Sequence, residues 1–445
     1  MWTPDLRAST AKHRQIVEAL SAAIAQGELR PGDQLPPQRE LAWRLKVNLS
    51  TVTKAYDEAA RRHLVSGQVG RGTFVLASSN EAKLFKLKNT SADVVDLSTN
   101  IPASFDADSS FEDTVSEFIR DERLSLETYH ASHLCETTKI AVANWLEWRG
   151  FRCQPENVLL SAGAQAGLLA VLLSLKSMGA SVLTESFTFP GMKAIARQLG
   201  LKLVPVECDA EGMKPASLLA AARSSDARIA VLVANLQNPT GALMGKNRRA
   251  EIAAIAEAAN LLIIEDDVYG PLTDSPPLCA ELGDRGILVS SFSKSVSPGL
   301  RFGFIVASGS NLAALHDDVH TTHWPTAPLS LAVASRWIAD GTAVRRTTMQ
   351  RNEIYERWRL MAEELDGGGL HPAPHAWLRT PNLCDEEDVV SRCRALGVEV
   401  VPASTFSTSH YSGTFVRICL TAPRTRHLLS VAIGRLSQLG LRVAE

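Results

Sequence analysis

Ser291-Phe292-Ser293-Lys294, followed by Gly299-Leu300-Arg301-Phe302-Gly303, sets a primary amine behind two small hydroxyl residues and a guanidinium seven positions further on. A lysine amine condenses with an aldehyde to form an imine. Serine hydroxyls and the donor fork of an arginine hold a phosphate. A neighbouring guanidinium and a desolvated cleft both lower the proton affinity of a lysine, which favours exchange of one amine for another. The spacing therefore points to covalent capture of an aldehyde that carries a phosphate.

Other short runs place reactive groups where a chain turns. Ser161-Ala162-Gly163-Ala164-Gln165 joins a turn glycine to a helix start, whose free N–H groups suit a phosphate. Asn238-Pro239-Thr240-Gly241 has the composition of a turn. Asp266-Asp267-Val268-Tyr269 follows the apolar run Leu261-Leu262-Ile263-Ile264-Glu265 and puts carboxylates at its end. Phe187-Thr188-Phe189-Pro190-Gly191 offers an aromatic ring. Taken singly, Phe189 reads as a core phenylalanine and the acidic pair as a solvated turn.

The elements that must position these groups follow from the apolar pattern. Val158–Ser161, Val182–Thr184, Leu203–Val206, Ile229–Ala234, Leu261–Glu265 and Ile287–Ser291 read as strands, with helices such as Ala164–Leu175 and Arg248–Ala259 between them. Continuous apolar strands separated by helices imply an α/β fold whose mostly parallel sheet is covered on both faces. Ligands bind such sheets at the carboxyl ends of the strands, where the motifs fall.

Together the motifs resemble the fold-type-I aminotransferases, which implies pyridoxal 5'-phosphate as cofactor and a smaller α+β domain beside the sheet. The resemblance implies that Lys294 carries the cofactor as an imine. Ala164, Gln165, Ser291, Ser293 and Arg301 would hold its phosphate, and Phe189 would stack on its ring. It gives Asp266 the ring nitrogen, and Asn238 and Tyr269 the ring hydroxyl. Arg417, in Thr414-Phe415-Val416-Arg417-Ile418, would grip a substrate carboxylate, with Asn100 lining the substrate side. Tyr129 would reach the phosphate of a partner subunit, although the glycine and Leu-Arg that usually follow it are missing.

The first 77 residues read differently. Ile16, Leu20 and Ile24 mark one helical face, Gln38 to Leu45 a second helix, and Asn48 the cap of a third with Val52, Tyr56, Ala59 and His63 inside. Two short strands, Leu64-Val65-Ser66 and Thr73-Phe74-Val75, flank glycines 67, 70 and 72. Three helices and a glycine-cornered hairpin make a winged helix-turn-helix. The runs Gly32-Asp33-Gln34-Leu35-Pro36-Pro37-Gln38-Arg39-Glu40-Leu41 and Gly70-Arg71-Gly72-Thr73-Phe74-Val75 resemble the GntR family of bacterial transcription regulators. The third helix would then enter the major groove with Ser50, Thr51, Thr53 and Lys54, while Arg39 would reach a phosphate or a guanine and Arg71 the backbone or the minor groove. Leu49 and Thr53 stand where that family often has basic residues. A helical protein-protein module is the alternative for this stretch.

Charge agrees with a nucleic-acid role. Residues 1–77 hold eleven Lys and Arg against seven Asp and Glu, a net +4, while the rest carries a net −6. Residues 78–95 read as a polar linker, and 96–445 as the effector domain, its large part about 125–325 and its small part 96–124 and 326–445. Seven scattered cysteines with no CxxC pair argue for reduced thiols and against a metal site. No apolar run suits a membrane span or a signal peptide, so a cytoplasmic protein is expected. The layout resembles the MocR subgroup of GntR regulators. It implies a homodimeric, pyridoxal-phosphate-dependent transcription regulator that binds promoter DNA and senses a small amino compound. A second reading is a working aminotransferase, or one limited to half-transamination, with an accessory DNA-binding head.

Overall fold

The computed structural model describes residues 2–4, 11–25, 28–29, 33–61, 64–68, 72–75, 94–105, 108–120, 132–322, 326–367, 371–380, 386–409 and 415–444. The chain divides into two compact units, 1–89 and 90–445.

In the first unit, helices α1 (Lys12–Ala25), α2 (Gln38–Leu45) and α3 (Leu49–Arg61) enclose a small core. Ile16, Val17, Leu20, Leu41, Val52, Ala55, Tyr56 and Ala59 are its buried members. The helical period puts Val52, Ala55, Tyr56 and Ala59 on one stripe of α3. His63, expected on that stripe, lies outside the described residues. Tyr56 donates its hydroxyl to the Pro36 carbonyl at 2.7 Å, tying α3 to the approach of α2. Strands β1 (Val65–Gln68) and β2 (Gly72–Val75) pair antiparallel, and Gln34 bridges to Phe74 on the outside of β2. The result is a winged helix-turn-helix.

The second unit is built on a seven-stranded sheet. Its strands are β3 (Val158–Ser161), β4 (Ser181–Glu185), β5 (Lys202–Val206), β6 (Ile229–Leu232), β7 (Leu262–Asp266), β8 (Gly286–Ser291) and β9 (Gly303–Val306). The order is β3-β9-β8-β7-β6-β4-β5. Only β9 runs against its neighbours, pairing antiparallel with both β8 and β3. β9 was not anticipated from sequence, where only its first residue, Gly303, was read, as the end of the lysine run. Both faces of the sheet are packed, one under Val142, Trp145 and Phe304, the other under Leu168, Val171 and Ile305. That explains the unbroken apolar strands.

A four-stranded antiparallel sheet makes the smaller layer: β10 (His375–Arg379), β11 (Val401–Pro402), β12 (Phe415–Cys419) and β13 (Arg442–Val443), in the order β11-β12-β10-β13. Its core joins Leu97, Trp358, Met361, Leu378, Val416 and Leu429. The sequence division into large and small parts falls in different places. Leu331, Val333 and Ala334 from helix Pro328–Ala339 sit in the large-sheet core, and Val115 and Phe118 from helix Ser110–Arg120 pack against it. Apolar helical faces follow the nearest available sheet, and composition does not reveal which sheet that is.

Candidate functional site

Lys294 follows β8 by three residues and is half-buried at the carboxyl ends of the parallel strands. Burial pushes its amine down to about 8. The cations Arg417 and Arg301 push the same way, against Cys419 and Asp266. Its Nζ donates to the Asn100 carbonyl at 2.5 Å.

The end of β7 sorts three consecutive acids by strand alternation. Glu265 accepts the N–H groups of Leu278 and Cys279 at 2.9 and 2.8 Å. Asp267 accepts Arg149 at 2.7 Å and the Asn235 amide at 2.8 Å. Asp266, between them, turns the other way and lies within electrostatic reach of Lys294. Burial raises it to about 7, against a long bond from the Val268 N–H at 3.4 Å and the attraction of Lys294.

The residues expected to hold a phosphate meet at one strand-to-helix corner. Gly163 takes φ +90°, and a Cβ there would come within 2.8 Å of the Arg301 guanidinium. Gly303 backs the same corner, where a Cβ would meet the Gly163 backbone at 2.6 Å. Helix α4 (Ala164–Ser174) starts at this corner. Its first helical bond is closed by Gly167 on the Gly163 carbonyl, so the N–H groups of Ala164 and Gln165 face outward at the open end. Arg301 donates to the Ala162 carbonyl at 3.3 Å. Ser291 ends β8 and accepts the Ser293 N–H at 3.3 Å. The Gln165 amide, by contrast, is spent on the Gly191 carbonyl at 3.2 Å. Phe189 caps the helix Pro190–Leu199 and is half-buried against the second core.

The opposite wall comes from the smaller sheet. In the β10–β12 register Trp377 faces Arg417 and His375 faces Cys419, so all four side chains share one face. Arg417 is buried, donates to Asn238 Oδ1 at 3.2 Å and to the Ser98 carbonyl, and lies 5.0 Å over the Phe406 ring. Its Nε is buried without a hydrogen-bond partner among the described residues. Asn100 donates its amide to the Tyr269 hydroxyl at 2.8 Å. Tyr269 is buried, which raises its proton affinity. His375 approaches Asn100 Nδ2 at 3.4 Å and the Gln237 carbonyl at 2.9 Å, and burial pushes it down to about 3.

The structure thus gathers Lys294, Asp266, Asn238, Tyr269, Asn100, Arg301 and Arg417, with Ala164, Gln165, Ser291 and Ser293 around the strand-to-helix corner. Tyr129 lies outside the described residues. His375, Cys419 and the Ser98 carbonyl were not foreseen. A histidine in an apolar strand has no local motif, and a backbone carbonyl leaves no mark in sequence.

Residues 92–436 match the aminotransferase class I and II family. The chain belongs to that family. Residues 12–75 match the bacterial regulatory proteins of the gntR family, so the order of domains is that of the MocR subgroup. An HTH-type transcriptional regulator of Bacillus subtilis, YdeF, is 26% identical over 98% of this chain and 96% of its own. The pyridoxine biosynthesis regulator PdxR of Corynebacterium glutamicum is 28% identical over 90% of this chain and 88% of its own. In fold, the body is similar to the Pyrococcus horikoshii kynurenine aminotransferase. The TM-score is 0.72 at 22% identity, with 82% of this chain and 94% of that one covered.

In the first unit, Arg39, Ser50 and Lys54 are exposed and Thr51 is half-buried. The Thr53 hydroxyl donates to the Gln38 side chain at 2.8 Å. Arg71, in the wing, lies outside the described residues. No helix among the described residues is long and apolar enough to cross a membrane.

Proposed function

We propose that the chain is a pyridoxal-phosphate-dependent transcription regulator. In this reading it binds promoter DNA through its first unit, works as a cytoplasmic homodimer and responds to a small amino compound at Lys294. The observation that carries the reading is the pairing of a half-buried amine, Lys294, with a buried carboxylate, Asp266, in one chain with a gntR-type winged helix.

The residues fit the cofactor. A carboxylate whose proton affinity burial has raised is short of a cation, and a protonated pyridine nitrogen is one. An arginine, an open helix start and two serines suit a phosphate. Pyridoxal phosphate, when bound, supplies an aldehyde that condenses with primary amines and a ring that withdraws electrons. Lys294 brings an amine that burial has shifted toward its neutral, nucleophilic form. Asp266 would hold a proton on the ring nitrogen, and Asn238 and Tyr269 would bond the ring oxygen. Arg417, whose Nε is unpaired among the described residues, would receive the carboxylate of an amino acid, aided by the low-dielectric wall of Phe406 and Trp377. Lys294 would be released wherever an amino compound took its place in the site. The consequent shift in the body would bias the DNA-binding heads, as differential affinity for two states requires.

The test is direct. Purified protein given pyridoxal phosphate should turn yellow and, after borohydride, carry the cofactor mass on Lys294. Lys294→Ala should lose both and keep the DNA affinity of the unloaded protein. Colourless wild-type protein without adduct would sink the reading. A second reading, a working aminotransferase, is favoured by one observation, the presence of Lys294, Asp266, Tyr269 and Arg417 in a single cluster. Steady turnover of an amino-acid and keto-acid pair would support it. Amine-dependent DNA affinity without turnover would support the regulator.

A further inference from the structure

We propose that His375 is a positioning residue: acting through the Asn100 amide, it determines which way the Tyr269 hydroxyl directs its proton. The argument starts at the Gln237 carbonyl, 2.9 Å from His375 Nε2. A carbonyl can only accept, so Nε2 carries the hydrogen. The ring is fully buried and neutral, so the other nitrogen, Nδ1, is an acceptor. Nδ1 lies 3.4 Å from the Asn100 side-chain amide. An acceptor there rejects the amide oxygen and admits the NH2 group, which settles the orientation of Asn100. The same NH2 reaches the Tyr269 oxygen at 2.8 Å. Tyr269 therefore accepts from Asn100, and its own proton is left for a different acceptor.

Every member of this relay has its direction fixed by the one before it, from the Gln237 carbonyl through His375 and Asn100 to Tyr269. The parts come from four places in the chain. His375 is on β10, Asn100 follows strand Val95–Asp96, Tyr269 follows β7 and Gln237 follows β6. The T-shaped contact of the His375 and Tyr269 rings, 5.4 Å between centroids, holds the relay in register. The charged and titratable groups around it are Lys294 and Asp266 from the large sheet, Arg301 after β8, and Arg417 and Cys419 on β12. The inference rests on the proposed binding of pyridoxal phosphate at Lys294, where the free Tyr269 proton would be given to the ring oxygen.

The experiment loads the full chain with pyridoxal phosphate and titrates its visible absorbance with pH. A hydrogen bond given to the ring oxygen stabilises its anionic form, so losing the bond raises the midpoint. His375→Phe should raise it by about one pH unit. Tyr269→Phe should raise it at least as far, and His375→Phe should add nothing in the Tyr269→Phe background. An unmoved midpoint in His375→Phe, or shifts that add in the double variant, would overturn the relay. Asn100→Asp puts an oxygen acceptor where the NH2 group stands, so it should raise the midpoint by more in the wild-type than in the Tyr269→Phe background, and it carries the test where His375→Phe does not fold. A wild-type protein with no visible band would overturn the cofactor reading and the relay with it. A band whose midpoint ignores His375 and Asn100 overturns the relay alone.

Discussion

Arg149 and Asp267 form an ion pair at 2.7 Å with side chains only 2% and 0% exposed, one residue away from Asp266 and on the other side of the strand end. The pair holds the end of β7 in place. Arg149 also donates to the Ser275 carbonyl, and the Asn235 that supports Asp267 is itself held by Arg249 at 2.7 Å. Two adjacent aspartates thus have separate tasks, one structural and one facing Lys294.

That division predicts different outcomes for substitutions at the two sites. Arg149→Met should lower the stability of the body by about 3–5 kcal/mol, because it leaves a buried carboxylate without its cation. A urea-unfolding series measures this. Asp266→Asn should leave the urea midpoint near wild type at neutral pH and weaken cofactor retention instead.

The pH dependence of the unloaded protein follows from Asp266 and Glu185. Burial raises Asp266 to about 7 and Glu185 to about 8, whereas both sit near 4 in an unfolded chain. Folded protein therefore binds more protons than unfolded protein between those values. The stabilising contribution is fully present below about pH 4 and is lost as pH rises through 7 and 8. Thermal unfolding at pH 5.5 and pH 8.5 should show a smaller loss in Asp266→Asn than in wild type. Equal losses would mean that Asp266 is already charged, or paired, across this range.

Arg417→Lys keeps the charge and loses the fork. The Nε, which has no hydrogen-bond partner among the described residues, disappears, and a single ammonium cannot form two parallel bonds to a carboxylate. Affinity for amino acids should fall at least tenfold, while affinity for amines without a carboxylate should hardly change. Titrating the visible band with both kinds of ligand separates the two. A uniform loss would assign Arg417 to packing against Phe406 rather than to recognition.

Much of this architecture was legible in the sequence because parallel strands buried on both faces are unbroken apolar runs, and their ends carry glycines, prolines and acids that cannot sit inside a sheet. Lys294, Asp266, Asn238 and Arg301 belong to such ends. The sorting of Glu265, Asp266 and Asp267 was not legible, since it depends on strand phase and on partners such as Arg149, 118 residues away in the chain. His375 was hidden for a similar reason. Its partners Asn100, Gln237 and Tyr269 converge only when β10 packs beside the large sheet. β9 escaped because four apolar residues do not reveal their direction, and Val115 and Phe118 because amphipathic faces do not name the sheet they cover.

The head supplies the last prediction. Arg39 is exposed at the start of α2, whereas the Thr53 hydroxyl on α3 is already bonded to Gln38. Arg39 is free to meet a phosphate, and Thr53 joins the two helices that must keep their angle. Arg39→Ala should weaken binding to any duplex by a similar factor and reduce the slope of log affinity against log salt by about 1. Thr53→Val should instead cost the head about 1 kcal/mol of stability, the net worth of one hydrogen bond. Fluorescence anisotropy with a mixed-sequence duplex at several salt concentrations tests the first, and thermal unfolding of the full chain the second. An unchanged salt slope in Arg39→Ala would move the phosphate contact elsewhere on the head. Both variants should retain the visible band, because neither residue belongs to the unit that would carry the cofactor.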